Sequence, residues 1–204
     1  MSFEMGLEET KLQVLNDHYK DTFGILRDYL RFRDKLFTLI LVVVALLLFQ
    51  LHSPKDSGEI ISQLISTKLS LTKIIDLSFV GSLLWFVLFS LVLRYYQTAV
   101  WIEKQYKYIH EIERDLCKYY GSDCMFLRES KTYFKNYPLF TTWAWVLYTI
   151  IFPCFLNVIT FTKIYAEYRN KSIPAPFTYW VNLGIFFGIL VSTISYLLVI
   201  HYKK

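Results

Sequence analysis

The run Leu39-Ile40-Leu41-Val42-Val43-Val44-Ala45-Leu46-Leu47-Leu48 gives a helix no polar side chain on any face. A helix that is apolar all round belongs in the core of a large protein or in lipid. The run lies in the first of four stretches free of Asp, Glu, Lys, Arg and His, at 36–51, 77–93, 138–162 and 177–200. Crossing a hydrocarbon core of about 30 Å takes roughly 20 apolar residues, with a range of about 17 to 25. The last two stretches meet this with room to spare. The first two lie at or below its lower end, and they qualify if Lys35 and Arg94 snorkel or the bilayer thins locally. Composition agrees: 54% of the residues are hydrophobic and only 19% are charged, where a soluble domain carries roughly 25% charged residues. A disordered chain, a disulfide scaffold and an ordinary soluble enzyme are excluded. The first stretch also starts too late for a cleavable signal peptide, because a long charged and amphipathic segment precedes it. The expected fold class is all-α, an integral membrane protein with four transmembrane helices and a cytoplasmic, coiled-coil-like helical layer.

Orientation follows from the basic residues, which are retained on the cytoplasmic side. Lys and Arg number six in 1–35, eight in 94–137 and two at the C-terminus, against three in 52–76 and three in 163–176. Sixteen against six places both termini and the middle loop in the cytoplasm. The net charge of +5 is largely this bias. Basic residues alternate with acids, as in Arg27-Asp28, Arg33-Asp34 and Glu113-Arg114-Asp115, so no nucleic-acid surface is expected. Four segments result: a cytoplasmic amphipathic helix at 1–35, a transmembrane hairpin at 36–94, a cytoplasmic helix with an interfacial segment at 95–137, and a second hairpin at 138–204.

Both cytoplasmic segments carry a heptad seam. Leu12, Leu15, Tyr19, Thr22, Leu26, Tyr29 and Arg33 alternate at spacings of three and four, as do Ala99, Ile102, Tyr106, Ile109, Glu113, Leu116 and Tyr120. No Gly or Pro interrupts 94–120, which predicts that the second span continues as helix until Gly121 stops it. The seams can bury on each other or on neighbouring subunits; Ile102, Tyr106, Ile109 and Leu116 are the expected packing residues in either case. Aromatic and basic residues mixed over 122–138 suit the headgroup level.

Within the spans, Gly184, Gly188 and Ser192 form a small-residue face of the GxxxG type, which lets another helix approach closely. Ser78 and Ser82 form a weaker version. Pro153 removes a backbone hydrogen bond and predicts a kink in the third span. Asn157 and Asn182 are expected either to hydrogen-bond between helices or to line a pore. The spans contain no ionisable residue, whereas pumps, proton-coupled carriers and voltage sensors place such residues there. The halves also lack matching broken helices, so a secondary transporter is disfavoured.

Enzyme chemistry finds little support. The four histidines are scattered, and His110-Glu111-Ile112-Glu113 lacks the second His of a zinc-protease helix. Nucleophile-elbow and phosphate-loop patterns are absent. No catalytic, cofactor-binding or metal-ligating residue is assigned. Cys117, Cys124 and Cys154 fit no metal or redox spacing and are expected to be free thiols.

Tyr108-Ile109-His110-Glu111-Ile112-Glu113, the stretch from Leu127 to Pro138, Trp143 and the stretch from Tyr148 to Pro153 together resemble the RipA-like octameric membrane proteins of bacteria. The layout is also similar to that of four-span accessory proteins encoded beside phage-defence systems, such as RNA-targeting CRISPR loci. The resemblance covers 105–155 and carries no catalytic motif. It implies an inner-membrane homo-oligomer acting as an effector or accessory of antiviral defence, with a soluble cytoplasmic defence partner. No Arg precedes a His by four to six residues, which separates this chain from accessory proteins of the HEPN ribonuclease kind. The expected function is non-enzymatic. A cytoplasmic helical layer receives a signal and a membrane layer perturbs permeability, as a pore would; the alternative is a passive scaffold or assembly factor.

Overall fold

The computed structural model describes residues 2–53, 60, 63, 77–120, 139–170 and 177–202. It is helical throughout its described elements, with no strand among the described residues. Helix α1 runs over Ser2–His52 and α2 over Leu77–Tyr120. Helix α3, Leu139–Val146, passes through a π-helical turn at Leu147–Ile151 into α4, Phe152–Asn170; α5 is Phe177–Tyr202. Among the described residues, four helices are long and apolar enough to cross a membrane: Glu9–His52, Phe79–Lys118, Trp143–Arg169 and Phe177–Tyr202. The two short stretches of the sequence are thus segments of much longer helices.

Pro153 explains the π-helical turn. Its ring offers no N–H and clashes with the carbonyl four residues back, at Thr149. Widening the preceding turn accommodates that defect. The disturbance predicted at Pro153 thus takes the form of a local change of helix type. Gly121 and the interfacial segment predicted at 122–138 lie outside the described residues.

The chain divides into two compact units, Met1–Asp34 with Gln97–Val146, and Lys35–Tyr96 with Leu147–Lys204. In the first, Leu26, Ile102 and Ile109 form a buried cluster, with Tyr19, Phe23, Tyr29, Leu30, Trp101 and Tyr106 packed around it. Tyr29 stacks on Trp101 with ring centroids 3.7 Å apart. These are residues of, or next to, the two predicted seams, so the seams bury on each other within one chain. Outside the stripe the surface mixes exposed ion pairs such as Lys20–Asp17 and Arg31–Asp28 with exposed Val14, Ile25 and Phe32.

The second unit is apolar inside and out. Ile40, Val43, Val44 and Leu47 are buried on α1, while Leu39, Val42 and Leu46 on the same helix are exposed. Helix α5 repeats the pattern, with Ile189 and Tyr196 buried and Val191, Ile194 and Leu198 exposed. So large an exposed apolar surface is a liability in water, whereas hydrocarbon solvates it without penalty.

Two sequence expectations change here. Cys154 is a free thiol, but Cys117 is disulfide-bonded, and Cys124 lies outside the described residues. The other concerns the end of the third span. Its helix does not stop at Thr162 but continues through Lys163 and Glu167 to Asn170. The span was cut at its first charge, although an ammonium can remain in a helix of this kind when other side chains receive it.

Candidate functional site

In the second unit those side chains come from every helix. Gly81 on α2 is the starting point. A Cβ there would lie 3.1 Å from Gln50 Nε2 and 3.3 Å from Gln50 Oε1, so the missing side chain makes room for the Gln50 amide of α1. Gln50 is buried, and its Oε1 accepts a hydrogen bond from Lys163 Nζ of α4 at 3.4 Å. One turn further along α4, Glu167 Oε1 stands 3.7 Å from the same ammonium. Trp85 of α2, fully buried, donates its Nε1–H to Glu167 Oε1 at 3.1 Å. Asn182 of α5 donates its Nδ2–H to Glu167 Oε2 at 2.9 Å.

Burial gives this cluster its energetic weight. Lys163 is 7% exposed and Asn182 is 5% exposed. A buried charge costs several kcal/mol unless it is paired and hydrogen-bonded, and Glu167 supplies the opposite charge. The pairing is incomplete. Charge-assisted N–H···O bonds settle near 2.7–2.9 Å, and both contacts of the ammonium are longer. Asn182 Oδ1 is buried and has no hydrogen-bond partner among the described residues. The cluster therefore holds an ammonium loosely between two oxygens, and the Asn182 amide that donates to the same carboxylate keeps an unsatisfied oxygen.

A second polar set links α4, α5 and α2 elsewhere in the unit. Asn157 Nδ2 donates to the Pro153 carbonyl at 2.8 Å and across to Thr193 Oγ1 of α5 at 3.0 Å. Thr193 Oγ1 also pairs with the Tyr96 hydroxyl of α2 at 2.9 Å, and Tyr96 stacks on Tyr196. Asn157 and Asn182 are thus both engaged between helices, in two different networks.

The small-residue face of α5 is used only in part. A Cβ on Gly188 would meet the Phe89 ring of α2 at 3.0 Å, and Ser192 Oγ donates to the Gly188 carbonyl at 2.6 Å. Nothing described lies within 4 Å of a Cβ on Gly184. The close approach at Gly188 is to an aromatic side chain of the same protein.

In the first unit Ile109 and Leu116 are fully buried, Ile102 is buried, and Tyr106 packs at the edge of the cluster. Glu113 occupies a seam position at 2% exposure. Tyr19 donates its hydroxyl to Glu113 Oε1 at 3.1 Å, and His110 Nδ1 stands 3.6 Å from Oε2. His18 Nε2 and the Tyr108 hydroxyl share a hydrogen bond of 2.7 Å. Groups of His, Cys, Asp and Glu able to hold a metal ion do not occur among the described residues.

Sequence reasoning singled out Asn182 but missed Gln50, Trp85, Lys163 and Glu167. One signal was available: Lys163 and Glu167 are spaced i, i+4, directly after an apolar stretch and without a helix breaker between. Comparison with protein-family models, with curated proteins and with solved structures finds no match for this chain.

Proposed function

We propose that this chain is a non-enzymatic protein of the bacterial inner membrane that acts as a homo-oligomer and alters the permeability of the bilayer. The observation that carries the reading is the meeting of Gln50, Trp85, Lys163, Glu167 and Asn182, from four helices, in an otherwise apolar unit. Ionisable groups on membrane helices are rare, and those that face the bundle interior commonly line ion or solute pathways or pair with one another. Lys163 and Glu167 place charged groups on α4, so a lack of ionisable residues no longer counts against a transport role. On this reading the first unit is the cytoplasmic, coiled-coil-like layer that receives the signal. Exposed Val14, Ile25 and Phe32 on α1 support self-association there. The defence role and a soluble cytoplasmic partner rest on the resemblance over 105–155 alone.

Cytoplasmic termini are supported by the sixteen-to-six basic asymmetry. The disulfide at Cys117 argues for an oxidising compartment instead. We give the asymmetry more weight, since it sums over the whole chain. Reporter fusions after Lys204 and at Ser57 decide the point: a cytoplasmic C-terminus and a periplasmic Ser57 are expected, and a periplasmic C-terminus overturns the assignment.

A passive scaffold is the second reading, favoured by the fact that both Glu167 oxygens already accept N–H donors, as in a clasp that holds helices together. Ion flux into liposomes carrying the purified protein separates the two. The permeability reading expects flux above that of protein-free vesicles, and the scaffold reading expects none.

A further inference from the structure

The cluster around Lys163 has more acceptors than its ammonium uses. Lys163 carries three N–H donors, and its contacts are Gln50 Oε1 at 3.4 Å and Glu167 Oε1 at 3.7 Å. Asn182 Oδ1, on a residue 95% buried, is left without a donor although its own Nδ2 is fixed on Glu167. Glu167 Oε1 and Gln50 Oε1 thus share a single tethered positive charge, and a third oxygen, unsatisfied and buried, sits on the Asn182 amide that donates to the same carboxylate. We infer that Glu167, Asn182 and Gln50 form a binding site for a monovalent metal cation, with the Lys163 ammonium as its built-in competitor.

The chemistry selects the ligand. Hard cations take oxygen ligands, here a carboxylate and amide carbonyls. One carboxylate balances one positive charge, so replacing the ammonium by a monovalent ion keeps the cluster neutral. A divalent ion would leave an excess positive charge in a low-dielectric interior. Lys163 has a flexible four-carbon stem and can carry its ammonium toward the aqueous interface while the stem stays on apolar surface. No covalent step is involved; the exchange is one cation for another. Because the ammonium is tethered, its effective concentration is high, and the wild-type protein binds the ion weakly. Removing the ammonium exposes the site at its full affinity.

This inference rests on the cluster being the working part of the membrane unit, but its test reads binding without flux. The detergent-purified full chain is melted, with its tryptophan fluorescence as the signal, in sodium, potassium or choline chloride at equal ionic strength. Lys163→Ala is expected to melt lowest in choline chloride. One alkali chloride should raise its Tm by about 5–10 °C, the shift expected when a ligand is present at roughly 100 times its Kd. The wild type should respond less, and Lys163→Ala/Glu167→Gln should show no ion-specific response. Equal melting of Lys163→Ala in all three salts overturns the proposal, as does an ion response that survives loss of the carboxylate. If Lys163→Ala yields no folded protein, Lys163→Met, which keeps an unbranched apolar stem, takes its place. Failure of both variants to fold in any of the salts also overturns the proposal, since the ion should rescue them. Flux that persists without an ion-specific melt removes the cation site alone. An ion-specific melt without flux removes the permeability reading alone.

Discussion

Glu113 in the first unit and Glu167 in the second share two kinds of neighbour but differ in burial, with side chains 2% and 22% exposed. Each accepts a hydrogen bond from an aromatic donor at 3.1 Å, Tyr19 for Glu113 and Trp85 for Glu167. Each has a basic side chain of its own helix nearby, His110 at 3.6 Å or Lys163 at 3.7 Å. The difference lies in the cation and in what surrounds the pair. Lys163 lies in a unit with exposed Leu, Val, Ile and Phe as well as an apolar core, whereas His110 lies in a unit with exposed ion pairs. The first arrangement suits a register-setting polar contact in a two-helix seam, of the kind a buried polar residue provides in coiled coils. The second places a charge where helices alone would exclude it, which is why the functional proposal rests on Glu167.

The comparison breaks most visibly at the carboxylates and the seam. Glu167→Ala strands the Lys163 ammonium and should destabilise the protein by about 3–5 kcal/mol, read as a lower midpoint in denaturant titration of micellar protein. Lys163→Met/Glu167→Leu should recover most of that loss, because a neutral apolar pair strands nothing. A loss below ~1 kcal/mol for Glu167→Ala would show that water reaches the ammonium freely. Ile109→Asp buries an unpaired charge in the first unit at a fully enclosed position and should cost about 3 kcal/mol, seen as reduced protein level. Glu111→Ala, on the exposed side of the same helix, should be tolerated. Equal behaviour of these two variants would mean that the seam is unpacked.

Smaller effects sharpen the picture. Gly188→Leu overpacks the Phe89 ring and should cost about 1–3 kcal/mol, which Gly188→Leu/Phe89→Ala should partly restore in a thermal melt. Restoration would locate the contact within one chain; a changed oligomer on native gels without restoration would locate it between chains. Tyr19→Phe removes one hydrogen bond to Glu113 and should cost about 0.5–1.5 kcal/mol with no change in assembly.

The helical class and the apolar helices were legible because hydrophobic blocks and heptad spacing are local patterns. The seam pairing of Leu26 with Ile102 and Ile109 follows from the same periodicity, although the partner of each seam was left open. The Lys163 cluster was hidden for a physical reason. Gln50, Trp85, Glu167 and Asn182 meet only through tertiary packing, and Gly81 contributes by what it lacks. A charge at Lys163 reads along the chain as the end of a span, and only the acceptors from other helices show why the helix continues. Cys117 misled for a related reason: sequence spacing does not report whether two thiols meet.

The central claim is that Glu167 works whereas Glu113 holds structure. Ion flux per folded protein, in liposomes carrying wild type, Glu167→Gln or Glu113→Gln, tests it directly. Both substitutions keep side-chain size and remove the charge, and each turns one acceptor oxygen into an NH2 donor. The account predicts that Glu167→Gln changes flux by roughly tenfold or more, the equivalent of about 1.4 kcal/mol on the rate-limiting barrier, and that Glu113→Gln leaves it unchanged. Equal effects of the two variants, or an effect of Glu113→Gln alone, would contradict it.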